Sequence, residues 1–400
     1  MGSGPLQGLR VVELAGMGPA PFAAMMLAEM GADVIKVDRP DAGRFGPPHA
    51  TDLLNRGRPN VAIDLKHPLG VETVLRLVDT ADVFLEGFRA GVAERLGLGP
   101  DVLLARRPGL VYARMTGWGQ DGPWAAVAGH DVAYLAVTGV LHAIGPPERP
   151  VVPLNVVGDF GGGALYLVVG ILAALYDVQA GGRGQVVDAA IVDGAAHLAT
   201  SIHSLLASGM WQDRRQANPL DGGLPYYAIY ETEDGGHLAV GALEPQFYAE
   251  FVRLLAPSEE LPDRDDPACW PDLRAAIATR IKERTRAEWA ETFDGSDACV
   301  APVLGLTEAA GHPHLAGRGT ITNTESGPVA APAPRFSRTP STPGTPPRAL
   351  GADTRDALVR WGIDDVEHLL RHGAVVQTDE DDGAPTRAAQ TDRHDGEERA

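Results

Sequence analysis

The chain has 400 residues, 44% of them apolar and 22% charged, a composition that excludes collagen-like, coiled-coil and wholly disordered readings. The 34 Lys and Arg against 53 Asp and Glu leave a formal charge of −19. The broad basic footprint of a nucleic-acid binder is therefore absent, and any anionic ligand must be held by local cations.

Residues 10–14 (RVVEL) read as a strand and residues 16–21 (GMGPAP) as a glycine turn. PFAAMMLAEM follows as a helix ended by Gly31, and residues 33–37 (DVIKV) as the next strand. This is a βαβ unit. Val71, Val74, Leu75 and Val78 then mark one helical face at i, i+3, i+4, i+7, and strands are predicted at 83–86 and 110–114. Such alternation predicts an α/β fold with a mostly parallel, doubly wound sheet. Gly16-x-Gly18 with Asp38 at a strand end suggests a dinucleotide site, but Pro21 stands where the third glycine of that fingerprint belongs. The two glycines either turn the chain or line another phosphate-bearing ligand.

Between Asp159 and Asp177 lie 17 uncharged residues, FGGGALYLVVGILAALY, short of the about 20 that a spanning helix needs. A buried core helix opened by Asp159 is expected, and no membrane span. Residues 226–231 and 237–242 flank Asp234-Gly235-Gly236 as an antiparallel hairpin, Thr285 and Glu288 form a capping box, and a strand is predicted near 299–303. The stretch 328–347 carries seven prolines and is expected to be extended; two short helices follow, the second running from Asp364, with Glu367 as capping partner, to Arg371.

These signals divide the chain into a large Rossmann-like domain (1–200), a linker (201–222), a small α+β domain (223–315), a return segment packing on the large domain (316–375) and a disordered acidic tail (376–400). Cys269 and Cys299 sit in no CxxC pair and are expected to be small buried residues of a protein in a reducing compartment. The N-terminus lacks the apolar stretch of a signal peptide, so a cytoplasmic location is expected.

Four glycine- or proline-bounded polar clusters stand in apolar surroundings: TGWGQDGP (116–123), Gly129-His130-Asp131, Gly158-Asp159-Phe160 and Glu244-Pro245-Gln246. Taken singly, His130 reads as a helix-start histidine, Asp159 as an N-cap and Glu244 as a surface acid. Together with RVVELAGMGPAPFAAMMLAEMGADVIKVDRP, AERLGLGP, PLNVVGDFGGG, DGGLPYY and VGALEPQFY, they make the chain resemble the α-methylacyl-CoA racemases of the class III CoA-transferase superfamily, from about Leu6 to Pro340.

That resemblance implies an interlocked, intertwined homodimer of a Rossmann-like large domain and a smaller domain, with acyl-CoA at their junction. It also implies that His130, Asp159 and Glu244 are the acid/base residues and that Arg39, Lys66 and Arg95 contact the CoA nucleotide. Those cations supply what an acidic protein needs to hold phosphates. Removing a weakly acidic thioester α-proton needs a base and a stabilised enolate oxygen, and inversion needs an acid on the opposite face. No metal and no separate cofactor is called for, since coenzyme A enters as part of the substrate. The alternative is a class III CoA-transferase in which Asp159 forms an acyl anhydride. A third reading is a catalytically silent CoA-binding scaffold.

Overall fold

The computed structural model describes residues 4–40, 47–257, 260–325 and 327–378. Of the tail expected at 376–400, residues 379–400 lie outside them, while Val376 pairs with Ala62 in a strand and so belongs to the fold, a correction of the expected boundary. The strands are β1 (Arg10–Leu14), β2 (Asp33–Asp38), β3 (Asn60–Ile63), β4 (Val83–Glu86), β5 (Val111–Thr116), β6 (Val186–Ala190), β7 (Tyr227–Glu231), β8 (His237–Gly241), β9 (Val300–Pro302), β10 (Ile321–Thr324), β11 (Gly327–Ala330) and β12 (Val375–Val376). The large sheet has the order β12-β3-β2-β1-β4-β5-β6. Pairing is parallel from β3 through β5, and only β12 is recorded as an antiparallel partner, to β3. Apart from β12, this is the Rossmann order 3-2-1-4-5-6, whose direction reverses between β1 and β4.

Contacts gather the described residues into two compact units, each assembled from discontinuous chain. One takes the described residues that fall within Met1–Arg114, Val168–Val187 and Pro334–Ala400; the other, those within Met115–Leu167 and Asp188–Ala333. In the first, the βαβ repeat buries Val12, Leu14, Ile35, Val37, Val61, Ile63, Phe84 and Tyr112 in one core with Trp361 and Ile363 of the returning C-terminal segment. The helix Pro68–Val78 buries Val74 and Val78 of the predicted face in that core together with Leu77, while Val71 and Leu75 pack against it half-buried. Arg58, fully buried, pairs with the equally buried Glu13 of β1 at 3.0 Å and donates to the Pro21 carbonyl. The glycine turn after β1 is thereby pinned from below.

In the second unit β7, β8 and β9 form an antiparallel sheet, with the hairpin where the sequence puts it. Trp289, Phe251, Phe293, Leu273 and Ile277 fill its core from the helices Pro245–Leu255, Trp270–Ile281 and Arg286–Phe293. The Thr285–Glu288 capping box is present in full.

The proline-rich stretch is extended at its start, as expected, where β11 pairs with β10. Three local expectations are corrected. The last helix is Val366–Arg371; its cap residue is Asp365 rather than Asp364, the Asp365 carboxylate is held by Arg76 at 2.8 Å and gives no side-chain cap, and Glu367 pairs with Arg355 at 2.7 Å. Cys269 is half-buried and Cys299 exposed, so neither is a core residue. Asp159 does not open the long apolar helix: the cap is Asn155, and Asp159 lies inside a π-helical segment, Val156–Ala164, that continues into Leu165–Gln179. The combined 24 residues are long and apolar enough, by length and composition, to cross a membrane. Leu167 and Ile171, however, are fully buried within the protein, whereas Val169 and Tyr176 are 64% and 76% exposed.

Candidate active site

His130 caps the helix Asp131–Val137 in an extended conformation and leaves its imidazole exposed, making no side-chain hydrogen bond among the described residues. The chain can enter the helix there because Gly129 has no side chain: a Cβ would press on Trp118 and Tyr134. Those two rings and Trp124 meet edge to face at 4.7–4.8 Å, which joins TGWGQDGP and GHD into one rigid aromatic-packed turn.

Asp159 is half-buried in the π-helical segment, where Phe160 N–H reaches back five residues to the Asn155 carbonyl at 3.3 Å. Such single-turn widenings occur often at functional sites. Asn155 Nδ2 donates to Asp159 Oδ2 at 3.1 Å, and the Asp159 backbone N–H donates to Asp131 Oδ2 at 3.2 Å. That N–H is thus committed inside the protein.

Burial raises the Asp159 carboxyl above the usual aspartate range, and the Asp131 charge adds to this; the Asn155 hydrogen bond and the proximity of His130 oppose it. His130 is therefore within electrostatic reach of Asp159, and the Asp131 next to it contacts the Asp159 backbone. The glycine triplet serves packing: Gly162 lies against the backbone of Gly194 and Ala195 in the helix Ile191–Leu198.

Glu244 caps the helix Pro245–Leu255 with an exposed side chain. It makes no hydrogen bond to His130; its charge faces Cys299 and, after burial, raises that thiol. A cavity of about 1170 Å³ opens in the same unit, its walls including Val157, Leu198, Trp211, Tyr227, Val240 and Cys299.

The three cations lie in the other unit. Arg39 follows β2, Lys66 follows β3, and Arg95 ends the short helix Val92–Arg95 after β4. All three thus come after the carboxyl ends of parallel strands, the edge at which open α/β sheets bind ligands. Each is exposed and in no ion pair with another described residue. Asp38, by contrast, is spent: Oδ1 accepts the Arg39 N–H at 2.9 Å, and Oδ2 faces His49 Nε2 at 3.2 Å and Lys36 Nζ at 3.3 Å. A ribose would have to displace these partners, which closes the dinucleotide reading.

Sequence reasoning missed three shaping residues. Asp131 was visible as the acid of Gly129-His130-Asp131, yet nothing in its spacing told where its carboxylate points. Asn155, and Arg114 with its grip on Glu94 at 2.9 Å, carried no local signal.

Residues 6–354 match CoA-transferase family III. An alpha-methylacyl-CoA racemase from Mus musculus is 45% identical over 94% of this chain and 98% of its own. A succinyl-CoA:glutarate CoA-transferase from the same organism is 29% identical over 93% and 91%. Among solved structures, a CAIB/BAIF family protein from Brucella suis superposes with a TM-score of 0.76 at 27% identity, covering 90% of this chain and all of that one.

Proposed function

The chain belongs to CoA-transferase family III, and we propose that within it the protein is an isomerase of the α-methylacyl-CoA racemase type. It interconverts (2R)- and (2S)-2-methylacyl-CoA thioesters by 1,1-proton transfer through an enolate. The observation that carries this reading is near full-length identity of 45% to a racemase.

The chemistry asks for two proton carriers near one carbon. His130 is exposed and open to substrate, and Asp159 beside it has a carboxyl pushed upward by burial. An elevated pKa favours the protonated acid that must deliver a proton to the enolate. In one direction the imidazole removes the α-proton and Asp159 returns one to the opposite face; in the other the roles exchange. Arg39, Lys66 and Arg95 would hold the nucleotide phosphates of CoA, a remote, non-reacting part of the substrate. Coenzyme A arrives with the substrate, and the proton transfers call for no further cofactor.

The working form in this reading is an intertwined homodimer. It is supported by apolar side chains left in the open: Leu198 and Leu206 are 50% and 46% exposed, and the helix Thr200–Ala207 buries no residue. It is supported also by Glu244, which would orient His130 as its hydrogen-bond partner but makes no such bond within one chain, so that a second copy would supply it. Cytoplasmic residence belongs to the same reading, and two free cysteines fit it.

The test is incubation of a 2-methylacyl-CoA in D2O. Expected are α-deuteration and loss of optical purity with no acceptor acid present. A new CoA ester formed only when a carboxylate is added would instead establish the transferase, and neither outcome the silent scaffold.

A further inference from the structure

We propose that Asp131 is a positioning residue: its carboxylate fixes Asp159 in place against His130 and so sets proton transfer on the Asp159 face of the substrate carbon. The inference rests on the racemase reading and assigns a role to a residue that reading leaves unused.

Asp131 is bonded directly to His130 and is only 8% exposed. Its carboxylate does not turn to its own helix: Oδ2 accepts the Asp159 backbone N–H at 3.2 Å, and the Gly158 N–H also favours its ionised form. A helix start leaves such N–H groups without intrahelical partners, and burial makes an unpaired one costly. The carboxylate therefore satisfies the Asp159 donor and lies against Gly158 of the same segment, from a point one residue away from the imidazole.

Gly158 has the complementary shape. A Cβ at this position would overlap Asp131 Oδ2, so the glycine of Gly158-Asp159-Phe160 admits the aspartate of Gly129-His130-Asp131. Two motifs 28 residues apart are halves of one contact. Proton transfer depends steeply on such placement, a 1 Å displacement costing up to about 100-fold in rate.

The experiment compares full-length Asp131→Ala and Asp131→Asn with the wild type, using (2R)- and (2S)-2-methylacyl-CoA in D2O and scoring inversion and deuterium uptake separately. In Asp131→Ala, inversion is expected to fall about 30- to 100-fold with KM changed less than about 3-fold. Deuterium uptake without inversion should persist in the epimer whose proton His130 takes and fall in the other. Asn keeps an acceptor oxygen, so Asp131→Asn should stay within about 5-fold of wild type. Its acid limb in kcat/KM should move to lower pH, because the Asp131 charge no longer opposes ionisation of Asp159 while Asn155 and His130 still favour it.

Equal loss of uptake in both epimers, or unchanged inversion, in a folded Asp131→Ala overturns the proposal. Should Asp131→Ala fail to fold, an unmoved acid limb in Asp131→Asn does the same. Absence of α-exchange in the wild type would sink the racemase reading itself and the role of Asp131 with it.

Discussion

A side chain on Gly194 would overlap the carbonyl oxygen of Gly162, so the helix Ile191–Leu198 and the π-helical segment bearing Asp159 touch backbone to backbone. Gly194→Ala must push the two apart. Overpacking of this kind costs about 1–3 kcal/mol, and the displacement reaches Asp159 three residues from the contact. A lowered thermal midpoint together with an about 10-fold or greater loss of kcat is expected. Gly161→Ala is the control: its methyl would meet Val156 O at 3.2 Å and Leu198 Cδ1 at 3.5 Å, and it should be much milder in both assays.

The hydrogen bond from Asn155 favours the ionised form of Asp159 and so lowers its pKa against the upward push of burial. Removing it in Asn155→Ala raises the pKa further. If Asp159 must ionise to act as base, the acid limb of kcat/KM, already above the ordinary aspartate range in wild type, moves to higher pH. A pH–rate profile that shifts the other way would remove Asp159 from the role of base.

Asp38 closes a buried ring: Lys36 Nζ donates to Asn55 Oδ1 at 2.8 Å, Asn55 Nδ2 donates to His49 Nδ1 at 3.2 Å, and His49 Nε2 returns to Asp38. Burial pushes the Asp38 carboxyl up, but the His49 hydrogen bond and the Lys36 charge outweigh it and hold the pKa at about 2, from an ordinary 3.8. A depressed acid pKa stabilises the fold above the unfolded value and loses that contribution as pH falls through the folded one. The contribution is about 2 kcal/mol, complete above pH of about 4 and lost by pH of about 2. Asp38→Asn should therefore lower stability at neutral pH by about that amount and flatten the acid end of the denaturation profile, read by urea melts at several pH values.

Arg114 donates to Glu86 at 2.9 Å and grips Glu94 with both terminal nitrogens, at 2.9 and 3.3 Å. Glu86 is fully buried, and burial lifts its pKa to about 7 despite the Phe88 N–H and Arg114. Arg114→Ala leaves that carboxyl without its cation and should cost about 3–5 kcal/mol in a denaturant melt at pH above 7. It also frees Glu94, and with it the four-residue helix that ends in Arg95, so KM for acyl-CoA should rise. Arg95→Ala should raise KM about 10-fold with kcat unchanged and little change in stability, because it removes an interaction equal in ground and transition states.

The βαβ repeat, the hairpin around Asp234-Gly235-Gly236 and the Thr285 capping box were legible because their causes are local: side-chain periodicity, turn glycines and a three-residue cap spacing. The clusters containing His130, Asp159 and Glu244 were legible as glycine- or proline-bounded polar islands, and the cations could be counted but not assigned without the family likeness. Failures began where a distant partner won. Asp365, the cap residue of the last helix, was drawn to Arg76 and Glu367 to Arg355, and Asp38 was lost to His49 and Lys36.

By itself, then, the sequence determined the strands β1, β2, β4, β5 and β7 to β9, though not β3, β6 or β10 to β12, that the large sheet is mostly parallel, and which motifs hold reactive groups, because each of these follows from near neighbours along the chain. Only the tertiary structure decided that Asp131 reaches across 28 residues to Gly158 and Asp159, that the glycine triplet packs on a helix, and that Glu244 does not bond to His130 within one chain. Hydrogen bonds and backbone contacts of that range depend on how folded segments meet, and no periodicity or spacing along the chain encodes the meeting.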